Sequence, residues 1–248
     1  MNMSNIKNEE IEYLTKNISE ILYNPKRFNI FFGNGKYVFG ATSPEGKETI
    51  ISKVVQYKTL YDTIQDLDWK IKRSFTISIN YAYSKEVQEN FNLITINSEE
   101  EQLAYYYIEN ALFRTSSLWD MLAQLYCLFY KVNLNHNKIY YNKIFNPNSP
   151  KSNKFREKAR EINDYLNEDD NIDGDKKWNG NHKYCNHCRN KMIHRNSPNI
   201  SVLSDYDMSF KDHLSFMLKR IIEDYVIVSK YIGDILDEIE KDLLKEFN

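Results

Sequence analysis

The chain reads as an all-α protein, an antiparallel helical bundle with a small β-hairpin in an N-terminal elaboration. Three observations predict this. Apolar residues recur at three- to four-residue spacing along much of the sequence, the period of one buried helix face. The stretch from Ser98 to Val132 runs without glycine or proline behind a Ser98/Glu101 capping-box pattern. With 7 Gly and 5 Pro in 248 residues, natural breakpoints are few.

In chain order, Asn5 to Tyr23 is predicted as an amphipathic helix, with Ile6, Ile11, Leu14, Ile18 and Leu22 on one side and Pro25 ending it. In "FNIFFGNGKYVFG", aromatic and β-branched residues flank Asn34-Gly35, the signature of a tight hairpin over 28–40. Helical spacing returns from Thr49 to Lys72, and "FTISINYAYS" fits strand or helix equally. The 98–132 helix is followed by an Asn-rich loop with Pro147 and Pro150, a charged helix from about Ser152 to Leu166 and the acidic turn "NEDDNIDGD". Ser209 to Phe247 reads as one or two long helices burying Phe210, Leu214, Met217, Leu218, Ile221, Ile222 and Tyr225. Residues 1–97 are taken as the elaboration and 98–248 as the main helical domain, together one compact unit.

Hydrophobic content of 42% and aromatic content of 14% place the chain among globular proteins. Three cysteines make no disulfide framework, so a reducing compartment is expected. The N-terminal residues carry acids and no apolar run, and no window approaches a membrane span, so the expectation is a cytoplasmic protein without membrane partners. The net charge of −2 excludes no partner until its distribution is read.

Chemistry concentrates in "KYCNHCRNKMIHRN", residues 183–196. Two metal readings weaken on inspection. From Asp169, the acidic turn places Asp, Asn171, Asp173 and Gly174 at EF-hand positions, but Gly180 stands where a bidentate Glu is required. Cys185-x-x-Cys188 lacks a second knuckle, because Cys127 lies within the long helix among Leu125, Leu128 and Phe129.

If 182–196 is helical, successive side chains turn by about 100°. Cys185, Cys188, Met192 and Asn196 then share a mostly apolar face, with His182, Arg189 and Ile193 on its flank. Lys183, His187, Asn190 and His194 form the opposite stripe. The imidazoles of His187 and His194 therefore point away from the thiols, a further objection to zinc.

From Lys176 to Ser204 there are six Lys or Arg, three His and no Asp or Glu, a local basic patch beside Trp178 and Tyr184 that suits a phosphate backbone and stackable bases. Histidine exchanges protons near neutral pH, and arginine can grip a phosphate through paired hydrogen bonds. With an RNA 2′-hydroxyl as internal nucleophile, those two groups suffice for metal-independent cleavage to a 2′,3′-cyclic phosphate and a 5′-hydroxyl.

Arg189-Asn190-x-x-x-His194, in "RNKMIH", resembles the R-x4–6-H motif of the HEPN (higher eukaryotes and prokaryotes nucleotide-binding) superfamily. The resemblance covers about residues 98–248. It implies an all-α, homodimeric, cofactor-free endoribonuclease of toxin–antitoxin, abortive-infection or antiviral defence systems, with a composite cleft formed where two motifs meet. It implies catalytic roles for Arg189 and His194, supported by Asn190, and an RNA substrate, with an antitoxin or other regulatory protein as a further partner. Substrate contacts are expected from His187, Lys183, Lys191 and Arg195. The polar stripe of the long helix, Asn110, Arg114, Ser117 and Gln124 with Asp120 alongside, resembles a support for the catalytic helix, Arg114 and Asp120 being its charged members. No tyrosine lies inside the motif, unlike the subgroup controlled by tyrosine modification. Two alternatives remain: a non-catalytic dimer binding RNA, nucleotide or protein through the same basic face, and a helical interaction protein in which the Arg–His spacing is accidental.

Overall fold

In the computed structural model, which describes residues 3–29, 31–32, 36–37, 49–134, 139–170, 178–194, 197–204 and 208–247, α1 (Met3–Glu20) leads to an antiparallel pair, β1 (Phe31–Phe32) and β2 (Lys36–Tyr37). The pair lies where the hairpin is expected, while Asn34-Gly35 itself falls outside the described residues. Next comes α2 (Ile50–Ala82), capped by Thr49, whose hydroxyl accepts from the Ser52 N–H at 3.1 Å. It absorbs all but the end of "FTISINYAYS": Phe75, Ser78, Ile79 and Ala82 are buried at helical spacing, so tertiary packing decides what local propensity left open.

After the short α3 (Lys85–Asn90), α4 (Glu99–Phe129) begins with the expected capping box, Glu101 N–H to Ser98 Oγ at 3.2 Å and Ser98 N–H to Glu101 Oε2 at 2.8 Å. It stops three residues before the expected Val132. The Val132 N–H turns back to the Cys127 carbonyl at 2.8 Å, with Lys131 left-handed at φ 51°. Then follow α5 (Tyr141–Ile144), a 3₁₀ turn (Pro150–Phe155), α6 (Arg156–Leu166), the pair β3 (Asp169–Asp170) and β4 (Trp178–Asn179), and α7 (Asn181–His194). A further pair, β5 (Val202–Leu203) and β6 (Met208–Ser209), precedes α8 (Leu214–Phe247), a single helix. Phe210, expected inside that helix, lies before it and is exposed.

The fold is all-α, and its helices share one apolar core. Side-chain bonds give the directions. Tyr105 meets Asp212 and Trp119 meets Asp224, so α4 and α8 run the same way. Tyr225 bonds Asp68 and Lys53 pairs with Glu246, so α2 runs against α8. His182 packs on Trp119 while Ser197 reaches Glu109, so α7 runs against α4. Helices from both sides of residue 97 contribute to the core, α2 and α4 packing along their lengths. Among the described residues, no helix is long and apolar enough to cross a membrane.

Candidate functional site

The start of α7 is fixed from two sides. The Gly180 N–H donates to the Glu168 carbonyl at 3.0 Å, and a side chain at 180 would bring its Cβ within 2.6 Å of that oxygen. Only glycine lets β4 pass this close before the helix opens. Arg220 of α8 then clamps the turn, donating to Asn181 Oδ1 at 2.7 Å and the Asn179 carbonyl at 3.1 Å while pairing with Asp170.

The inward face of α7 carries His182, Tyr184, Cys185 and Cys188, all buried. Both thiols lie where the wheel puts them. Burial pushes Cys188 up to about 12 and Cys185 well above the usual thiol range, so both remain protonated, inert packing groups.

His182 is the centre of a polar network that the sequence reading missed. Asp224, on α8, accepts from Trp119 Nε1–H at 3.1 Å and the Tyr165 hydroxyl at 3.0 Å, and His182 Nδ1 lies 3.1 Å from the same carboxylate. A carboxylate can only accept, which places the ring proton on Nδ1 and leaves Nε2 to the Tyr141 hydroxyl at 3.1 Å. Trp119, Tyr141 and Tyr165 enclose the imidazole. A signal did exist: Asp224 falls on the same face of α8 as Ile221 and Val228, and an acid on an apolar face calls for a buried partner.

Arg189 follows His182 two turns later on the same side and faces α4 and α5. Its charge acts on the Asp120 carboxyl and the Tyr141 hydroxyl. Burial raises Asp120 above its usual range, opposed by a hydrogen bond from the Tyr141 N–H at 3.2 Å and by Arg189. The Arg189 Nε is enclosed and has no acceptor among the described residues.

The opposite face matches the expected stripe: His187, Asn190 and His194 are exposed. Arg189 and His194 thus sit on different faces within one chain. Lys183, at the stripe's edge, is held by Asp169 at 2.6 Å, and Lys191 is half-buried. Arg195 lies outside the described residues. On α4, Arg114 donates to the carbonyl and side-chain oxygens of Asn110 at 2.9 Å, and Asn110 and Ser117 bond carbonyls one turn back on their own helix. Of the charged pair read as support, Asp120 reaches beyond α4 to α5, whereas Arg114 is bonded within α4. Gln124 instead lines a 670 Å³ cavity between α2 and the end of α4, with Gln56, Leu60, Cys127, Leu128 and Ile139, away from the α7 stripe.

Comparison of the chain with protein-family models, with curated proteins and with solved structures finds no match.

Proposed function

We propose that the chain is a metal-independent endoribonuclease of HEPN type, acting in the cytoplasm as a toxin or antiviral effector. The observation that carries this reading is the division of α7, which offers His187, Asn190 and His194 to solvent while Arg189 lies half-buried on another face. In the proposed reaction an RNA 2′-oxygen attacks the adjacent phosphorus and the bond to the 5′-oxygen breaks. His194 exchanges the protons, Asn190 orients it from one turn away, and Arg189 carries the charge growing on the phosphorane.

Because Arg189 and His194 occupy different faces, one chain supplies half of this machinery, and a second copy of α7 completes it. Exposed Tyr106 and Ile200, which line one cleft with Glu109 and Asn199, offer apolar surface for such pairing near the end of α7.

Purified protein is incubated with RNA in EDTA beside His194→Ala and Arg189→Ala. Wild type yields 2′,3′-cyclic phosphate and 5′-hydroxyl ends, and each variant loses at least about 100-fold in rate. Intact RNA with wild type, or undiminished cutting by either variant, overturns the reading. A non-catalytic RNA-binding dimer is the second reading, favoured by the placement of Arg189 and His194 on different faces of one helix. Salt-sensitive RNA binding without cleavage is its signature.

A further inference from the structure

Lys131 follows α4 in the left-handed region at φ 51°, a conformation that helix ends normally give to glycine, and it lines the 670 Å³ cavity between α2 and α4. The helix dipole favours a cation at this end, but a lysine on any unstrained residue of the last turn would serve it equally. Strain kept at a cavity-lining residue points to a use for its side chain. The cavity is of a size that holds a small organic molecule. Leu60, Leu128, Val132 and Ile139 give it aliphatic walls, and Cys127, pushed up to about 11 by burial, adds a protonated thiol rather than a nucleophile.

The polar lining is sorted by position. Asp68 and Trp119 bond adjacent residues of α8, Tyr225 and Asp224, which sets them level, and α2 and α4 run in opposite directions from there. Gln56 therefore lies toward Lys131, Leu60 opposite Leu128, and Gln124 about 10 Å from Lys131 along α4. Among the described residues, Lys131, Gln56 and Gln124 have no side-chain hydrogen-bond or ion-pair partner, and no Asp or Glu lines the cavity. One end thus offers a cation and an amide, the other a half-buried neutral amide, with an aliphatic channel between them. A half-buried amide without a partner costs free energy that a ligand's hydrogen bond recovers.

We propose that this cavity binds an aliphatic carboxylic acid of roughly eight to ten carbons that carries a hydroxyl or carbonyl group at its far end. The carboxylate sits on the Lys131 ammonium with the Gln56 amide beside it, the chain lies between Leu60 and Leu128, and the far group bonds Gln124. No residue of α7 lines the site, so it stands apart from the ribonuclease reading.

Four probes are titrated into the intact chain by calorimetry: ω-hydroxydecanoate, decanoate, the corresponding diol and decyltrimethylammonium. Wild type takes one equivalent of ω-hydroxydecanoate. It binds decanoate, which lacks the far hydroxyl, and the diol, which lacks the carboxylate, each about fivefold more weakly, and the cation at least about 30-fold more weakly. Lys131→Gly abolishes the preference over the diol and keeps that over decanoate. Gln124→Leu does the converse, now favouring decanoate. Leu60→Trp fills the channel and removes binding of all four, with circular dichroism showing that each variant is folded. No saturable binding of ω-hydroxydecanoate by wild type up to about 1 mM, several equivalents bound, or undiminished binding by folded Leu60→Trp overturns the site. Preferences that survive both Lys131→Gly and Gln124→Leu overturn it as well, and these two variants decide the matter even where Leu60→Trp does not fold.

Discussion

Lys211 places its ammonium 3.0 Å from the Glu101 carboxylate, with both side chains almost fully enclosed. The same ammonium donates to Asn97 Oδ1 at 2.6 Å and lies over the Phe91 ring, tying the segment before α8 to the start of α4. Glu101 also serves the capping box, so one carboxylate caps the start of a helix and neutralises a buried cation. Removing the cation alone strands the anion. Lys211→Met is expected to cost about 3 kcal/mol, and adding Glu101→Gln, which retains an acceptor for the Ser98 N–H, recovers at least about 1 kcal/mol. Urea midpoints of Lys211→Met, Glu101→Gln and the double variant measure both values; a double variant as unstable as the sum of its parts removes the pairing from the account.

Lys131 is in the left-handed region at φ 51°, at the end of α4, where the returning Val132 and Lys131 amides close the helix on Cys127 and Leu128. Its Cβ is strained there, and glycine is not. Lys131→Gly is expected to raise stability by about 0.5–1 kcal/mol, with equilibrium denaturation as the measurement. A loss of stability instead means that the lysine side chain contributes more than its backbone strain costs.

These two sites show how far the sequence could be read. The Ser98/Glu101 cap was legible because both partners lie within one turn and follow a fixed spacing. Lys211 was not, because its partner is 110 residues away and nothing local marks a lysine as enclosed. The faces of α7 were legible for the same reason as the cap: helical geometry alone sorts thiols from exposed histidines. What Arg189 meets depends on α4 and α5, and no periodicity within α7 reports it. Gly180 shows the opposite error, since the sequence reading weighed it only as a failed calcium ligand, whereas its lack of a side chain lets Glu168 approach the start of α7.

His213, directly before α8, packs 4.6 Å from Phe91 and holds the Ser215 N–H and hydroxyl through Nδ1. Burial lowers its pKa from 6.5, against the raising influence of Glu10 on α1 and Glu101 on α4. The unfolded chain therefore takes up this proton first on acidification. The stability that neutral His213 contributes is fully present above pH 6.5 and is lost as pH falls through the lower folded value. Between pH 7.5 and 5.5, wild type is expected to lose more stability than His213→Asn, which keeps an acceptor for Ser215 but does not titrate. Urea denaturation of both proteins at the two pH values tests this, and parallel losses rule it out.

The three histidines of α7 separate structure from function in a single experiment. His187 and His194 are exposed, so His187→Ala and His194→Ala should each change stability by less than about 0.5 kcal/mol. His182→Ala removes the imidazole from between Asp224 and Tyr141 and opens a void against Trp119, at an expected cost of about 3 kcal/mol. For a chain of this length that is a fall in Tm of roughly 6–12 °C, readily measured by circular dichroism. The RNA assay divides them differently: His194→Ala loses cleavage at unchanged Tm, whereas a loss in His182→Ala accompanies its fall in Tm. If His194→Ala lowers Tm as much as His182→Ala does, the outward stripe is holding the fold together, and its loss of cleavage no longer identifies His194 as the proton-transfer group.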